Sequence, residues 1–274
     1  MIENYIDYLR NVAGYSMNTC QAYENDLRNF AVWAMTHTAE GRWSAMSQTD
    51  IENYIKYLTM HGYQSNSTNR ALSAIRGIYR YWQRNGLVPS NPAKHVLPRL
   101  VPTTIPTTIS IDNLMKVYKA ADTETKLIIS ILYTTGIRVQ ELLDIRWQDV
   151  DLDNGSILIN GKGSKQRYVY IGKGICEVMR ERRSQEKGKG VIFYHSQRTI
   201  RHKLHEAAMM AGVEQPFSPH VLRHTIATEW AANGANAQTL AKALGHAKIE
   251  TSAKYVNMAH LDTRDVMMQN NMFN

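Results

Sequence analysis

At 274 residues, with 43% hydrophobic and 20% charged side chains, the chain can bury a real core as one large domain or two modest ones, and it reads as soluble and globular. No run of about 18 apolar residues exists, and Glu3 and Asp7 interrupt an N-terminus that lacks a basic segment followed by an apolar one, so neither a membrane span nor a signal peptide is expected. Two distant cysteines, Cys20 and Cys176, exclude a disulfide framework and fit a reducing cytoplasm, while the net charge of +8 is either that of an ordinary basic protein or the mark of a polyanionic partner.

Residues 1–88 read as all helix, with candidates near 1–13, 16–36, 47–62 and 66–85. Ser16–Thr19 and Ser65–Thr68 offer N-caps, and Gly14, Gly62 and Gly86 offer stops. The fourth candidate carries an apolar stripe of Leu72, Ile75, Ile78, Tyr79 and Trp82, and Arg76, Arg80 and Arg84 recur every four residues on another face. That row is either a solvated surface or a track for DNA phosphates. Five of the seven prolines (Pro89, Pro92, Pro98, Pro102 and Pro106) then define a semi-stiff linker over 89–108, because proline stops helices and biases its predecessor toward extended backbone.

Residues 109–274 are mixed, and they hold most of the charge, 22 basic against 17 acidic side chains compared with 8 and 7 in residues 1–88. A helix capped by Ser110 runs to about 121, an apolar one spans 124–135 up to Gly136, and a short amphipathic one covers 138–145. Residues 156–160 and 166–171 alternate around a basic, glycine-containing turn, which predicts a β-hairpin, with 191–194 as a candidate third strand. Helices return from about 197 to the end.

Four short words carry candidate chemistry. Ser218-Pro219 is a strong helix start, and it sets His220 and Arg223 one turn apart near a helix N-terminus, where an anion is favoured; the alternative is a plain capped surface helix. Arg138 and Glu141 are either an ordinary intrahelical pair or a carboxylate orienting a guanidinium toward a phosphate. The tip Gly161-Lys162-Gly163-Ser164-Lys165-Gln166-Arg167 is either solvated charge or a flexible carrier of a proton donor. Leu244-Gly245-His246 ends a helix at a left-handed glycine, nine residues before Tyr255, one of 15 tyrosines.

Taken in order, Arg138, Lys162, His220-x-x-Arg223, Leu-Gly-His246 and Tyr255 resemble the tyrosine recombinase (phage integrase) family, in its Xer-like and integrase branch. The words Thr135-Gly-Ile-Arg138, Gly161-Lys-Gly-Ser-Lys-Gln-Arg167 and Pro219-His-Val-Leu-Arg-His-Thr225 share the likeness, which runs from about 110 to 260. The resemblance implies a mainly α fold with a small β-sheet (α+β) in the catalytic domain, and a two-domain, C-shaped DNA clamp. Its parts would be an all-helical, SAM-like core-binding domain (1–88), the proline-rich linker (89–108), and a catalytic domain with a C-terminal tail (109–274).

The same resemblance implies a site-specific recombinase with Tyr255 as nucleophile, Arg138 and Arg223 on the non-bridging oxygens, and Glu141 in support. His220 and His246 would hold the phosphate and help move the tyrosine proton; Lys162 would protonate the leaving 5′ oxygen, with Lys165 its rival. No cofactor or metal is implied. Expected partners are double-stranded DNA with inverted-repeat core sites, three further copies in a homotetramer on two sites, and a second recombinase or accessory protein. The tail 261–274, apolar over 266–273, is expected to dock into a neighbouring copy. Arg76, Arg80 and Arg84 are expected on phosphates, joined by Lys165 and Arg167, while Arg198, Arg201, His202 and His205 enter a groove. Rival readings are a monomeric type IB topoisomerase and a non-catalytic DNA-binding factor. A metallohydrolase built on His220 and His224 is disfavoured, because Val221 stands where the metalloprotease pattern needs Glu.

Overall fold

The computed structural model describes residues 1–37, 43–102, 106–161, 166–185 and 190–259. The chain divides into two compact units, Met1–Thr103 and Thr104–Asn274.

The first unit holds four α-helices among its described residues: α1 (Ile2–Asn11), α2 (Met17–His37), α3 (Gln48–Met60) and α4 (Ser65–Arg84). Local chemistry sets most of their ends. Ser47 and Asp50 form a reciprocal box, with the Asp50 N–H on Ser47 Oγ at 3.3 Å and the Ser47 N–H on Asp50 Oδ2 at 2.8 Å. Thr19 N–H likewise bonds Ser16 Oγ. The expected cap at Ser65–Thr68 is different: α4 starts from Gln64, which caps through no side chain. The core interleaves Leu27 and Phe30 with Ile51, Leu72, Ile75 and Ile78, all essentially inaccessible. Gly77 lies under the ring of Tyr5, and a Cβ there would collide with the phenol, so the α1–α4 crossing depends on that glycine. Arg70 forks onto Asp26 at 2.8 and 3.0 Å and ties α4 to α2.

Much of the stretch read as a linker is bound to α4. Val88, Ala93 and Val96 are buried in the first unit's core. Asn91 donates to the Arg76 carbonyl, and Asn69 both donates to the Arg99 carbonyl and accepts from the Arg99 N–H. This gives Arg76 a structural role that counts against the reading of it as a phosphate contact. Its guanidinium donates through Nε and Nη2 to the carbonyls of Ala93 and Val96 and so holds that strap in place.

In the second unit, α5 (Ile111–Ala120), α6 (Thr123–Thr135) and α7 (Val139–Asp144) precede a small antiparallel sheet, and α8 (Lys173–Gln185) through α12 follow it. The later helices are α9 (Gln197–Met210), α10 (Pro219–Ala232), α11 (Ala237–Leu244) and α12 (Glu250–Ala259). The hairpin forms as β2 (Ser156–Asn160) and β3 (Gln166–Tyr170), in a register pairing Ser156 with Tyr170 and Asn160 with Gln166. The third strand is β1 (Val150–Asp151), paired to β2, rather than 191–194. Among the described residues that segment makes a single bridge, Val191 to Arg146. Helix α8 lacks a sequence signal, since a narrow stripe of Cys176 and Met179 is all it buries. Among the described residues no helix is long and apolar enough to cross a membrane. The molecule is thus mainly helical with one three-stranded sheet.

Candidate active site

The site is assembled where α6 hands over to α7 and where α10, α11 and α12 meet. Helix α6 stops at Gly136, whose φ of 60° is left-handed; a Cβ there would also meet the Leu244 side chain at 2.8 Å. The next residue, Ile137, is fully buried and pins the turn, so Arg138 emerges as the extended N-cap of α7.

Glu141 closes back onto it. Its Oε2 accepts the Arg138 backbone N–H at 2.8 Å and its Oε1 accepts Arg138 Nη1 at 3.0 Å. The same carboxylate receives Arg167, with Nη1 on Oε1 at 3.1 Å and Nη2 on Oε2 at 2.8 Å. Burial by itself would raise the Glu141 carboxyl, but these hydrogen bonds and the two guanidinium charges outweigh it and hold the group below the usual carboxylate range. Arg167 was expected on DNA. With its third donor on the Ala243 carbonyl and a side chain only 13% exposed, it is a buried brace between the hairpin, α7 and α11, and that expectation is corrected.

Helix α10 begins as its Ser-Pro start demands, with the Val221 N–H on Ser218 Oγ and Pro219 in the first turn. His220 is exposed and Arg223 is buried. The Arg223 guanidinium donates to the Gly136 carbonyl and, at 2.7 Å, to the Leu244 carbonyl. Burial, followed by the Arg138 charge, brings Arg223 down to about 10, which leaves it fully cationic at neutral pH.

Three arginines therefore meet three successive carbonyls at the end of α11: Arg167 on Ala243, Arg223 on Leu244 and Arg138 on Gly245. A helix C-terminus is the negative end of the helix dipole, so it suits such a clamp. Gly245, left-handed at φ 64°, lets the guanidinium of Arg167 pass where a Cβ would sit 2.7 Å from Nη1.

His246 follows, its Nδ1 engaged with Ser252 Oγ at 2.7 Å and its ring parallel to that of Tyr255. Tyr255 on α12 is 1% exposed, packed with Ala227, Ala231, Leu240 and Leu244. Burial raises its hydroxyl, and the charges of Arg223 and Arg138 work in the opposite direction. Burial also pushes His246 down to about 4, with Arg223 and Arg138 adding to the effect. His220, though exposed at its surface, is lowered by partial desolvation from the groups around it, then by Arg201 on α9.

The sequence reading missed one neighbour. His224 Nδ1 lies 2.7 Å from the Tyr255 hydroxyl. The signal was present, since His224 stands four residues after His220 on the same helical face, but that spacing was weighed only as a metal pair. Lys162, Lys165 and the tail 261–274 lie outside the described residues. On the surfaces expected to meet DNA, Arg198, Arg201, His202 and His205 are exposed along α9, with Arg201 on Gln197 and His202 beside Glu206. Arg80 and Arg84 are exposed on α4, and Arg84 donates to the Tyr8 hydroxyl.

Residues 107–261 match the phage integrase family, and residues 2–86 match the phage integrase N-terminal SAM-like domain. The chain is 30% identical to tyrosine recombinase XerD of Pseudomonas aeruginosa, over 97% of this chain and 95% of that protein. It is 28% identical to tyrosine recombinase XerD of Listeria monocytogenes, over 98% and 97%. Among solved structures, the XerH site-specific recombinase bound to palindromic difH substrate in a post-cleavage complex superposes with a TM-score of 0.75 at 19% identity, covering 99% of this chain and 84% of that one. The chain belongs to the phage integrase family and is a tyrosine site-specific recombinase.

Proposed function

We propose that this recombinase breaks and rejoins double-stranded DNA through a 3′-phosphotyrosyl link to Tyr255, exchanging strands by way of a Holliday junction. One observation supports this best: a buried tyrosine lies within the field of two guanidinium groups, Arg138 and Arg223, each braced on backbone carbonyls, with His224 and His246 against its ring.

Attack by the Tyr255 hydroxyl oxygen forms a bond to phosphorus while the bond to the 5′ oxygen breaks. The transition state places extra charge on the two non-bridging oxygens, where Arg138 and Arg223 act as preorganised donors that need no reorganisation during the step. His220 and His246 bind the same phosphate. Lys162 on the hairpin tip protonates the departing oxygen, with Lys165 as its rival. Because the phosphotyrosyl ester conserves bond energy, a 5′ hydroxyl from a second strand reverses the step, without any cofactor.

Strand exchange by this route takes four copies on two inverted-repeat sites, with the tail 261–274 docked into a neighbouring copy; a second recombinase or accessory protein fits the same scheme. Arg80 and Arg84 act as phosphate contacts, and Arg198, Arg201 and His202 as groove contacts. The XerH structure, recorded on its difH substrate, lends support to a DNA partner.

The test is to express wild type and Tyr255→Phe in cells, strip proteins under denaturing conditions, and sequence the DNA that stays covalently bound. Ends clustered at a few inverted-repeat sites with wild type, and none with Tyr255→Phe, are expected. Adducts scattered without sequence preference would point instead to topoisomerase-like relaxation, and equal adducts in both strains would dismiss Tyr255 as the nucleophile.

A further inference from the structure

Three histidines stand near the nucleophile, and their ring nitrogens are differently committed. His246 spends Nδ1 on Ser252 Oγ. His220 is exposed at the start of α10. Among the described residues the hydrogen-bond partner of the Tyr255 hydroxyl is His224, at 2.7 Å from Nδ1, with ring centroids 5.7 Å apart. We propose that His224 is a catalytic residue: its Nδ1 takes the phenolic proton as Tyr255 attacks the DNA phosphate, and returns it when the phosphotyrosyl bond is broken in rejoining. This rests on the reading of Tyr255 as nucleophile.

A general base must lie within hydrogen-bond reach of the proton it takes, and His224 Nδ1 meets that condition at 2.7 Å from the hydroxyl of a tyrosine that is 1% exposed. The charged and titratable groups facing His224 are Lys254 and Tyr255 from α12, and His220 and Arg223 from its own helix. On α6, Tyr133 engages Glu229 just over a turn further along α10, and Lys242 of α11 is exposed. Burial, followed by the nearby Lys254, His220 and Arg223, pushes His224 down to about 4. The ring is therefore neutral at physiological pH, and the proposed transfer uses the tautomer with its proton on Nε2, which leaves the Nδ1 lone pair to the hydroxyl. A DNA phosphate between Arg138 and Arg223 offsets the positive charge that depresses the imidazole, so substrate binding itself raises the basicity of the acceptor.

In the balanced step the phosphorus–tyrosyl oxygen bond forms and the phosphorus–5′ oxygen bond breaks. The phenolic proton moves to His224 Nδ1, and the 5′ oxygen takes its proton from a separate acid. Rejoining runs the same transfers backward, so an imidazolium at 224 protonates the leaving phenol.

The experiment uses the full-length chain on a nicked core-site substrate recovered from its covalent adducts, made with an ordinary or a 5′-bridging sulfur leaving group. His224→Asn keeps an acceptor close to where Nδ1 stands yet cannot accept a proton; His224→Gln is the second variant, and both are checked for wild-type melting and DNA affinity. Single-turnover cleavage is expected to fall by about 10²-fold or more in the variants. The sulfur leaving group, which needs no acid, should leave that defect in place. Rejoining should fall by the same factor. From about pH 6 to about pH 9, cleavage should rise with hydroxide in the variants and be nearly level in wild type.

Wild-type rates and pH profile in either folded variant would overturn the assignment. Faster cleavage would also overturn it, because it would make the contact a restraint on Tyr255. So would a defect confined to DNA affinity. Failure of wild type to form any Tyr255-dependent adduct would instead reject the underlying nucleophile reading.

Discussion

Arg76 in the first unit and Arg223 in the second use the same device: each guanidinium donates to two backbone carbonyls from segments distant in sequence. Their surroundings differ. Arg76 holds a proline-rich strap, Ala93 and Val96, against its own helix, and among the described residues its bonds go to carbonyls. Arg223 holds the Gly136 turn and the end of α11, and it also acts electrostatically on Tyr255, His220, His224 and His246. A guanidinium has donors in a planar fork, so it can satisfy structural carbonyls and still offer an edge to a ligand. What separates a strap from a site is the company such a fork keeps.

The sharpest way to break this comparison is Arg223→Lys. Lysine keeps the charge but cannot span both carbonyls, so cleavage should drop by about 10²–10³-fold as one preorganised donor is lost. Quenched-flow cleavage of a suicide substrate checks this, and a wild-type rate would mean that charge alone suffices. Next in size is Glu141→Ala, which strands Arg138 and Arg167 and should cost about 3 kcal/mol, read from denaturant melts.

Its pH signature follows from the direction of the Glu141 shift. A carboxyl held below its usual 4.5 in the folded chain contributes stability that is complete above that value and disappears as pH falls through the lower, folded one. Glu141→Gln should therefore flatten the loss of stability on acidification below about pH 4.5. A Gln variant as acid-sensitive as wild type would remove Glu141 from that role.

The smallest effects belong to the first unit, and they separate two residues of one row. Arg76→Ala should lower stability by about 1–3 kcal/mol, because two strap carbonyls lose their donor, and leave the salt dependence of DNA binding unchanged. Arg80→Ala should alter stability by less than about 0.5 kcal/mol and reduce the salt slope by about 1. Reversed outcomes would restore Arg76 to the DNA face.

Much of the fold was legible because local signals agreed with one another. The Ser-Pro start of α10, the glycine stops after α6 and α11, and the alternation of 156–160 with 166–170 all correspond to observed ends or strands. Helix α8 was not legible, since it buries too narrow a stripe to produce a period, and neither was β1, a two-residue strand that exists only because β2 is beside it.

By itself the sequence determined the ordered constellation of Arg138, His220, Arg223, His246 and Tyr255, together with the helical or extended character of most segments, because periodicity and caps act over a few residues. Tertiary structure alone decided where each guanidinium spends its donors. Arg76 and Arg167 read as surface charge in one dimension, yet their partners lie 17–20 residues away in one case and 26 and 76 in the other. It likewise decided that His224, rather than a better-signposted histidine, meets the tyrosine hydroxyl, 31 residues along the chain. Hydrogen bonds to distant carbonyls and carboxylates follow from packing, and packing is settled only when helices with no sequence contact are brought against one another.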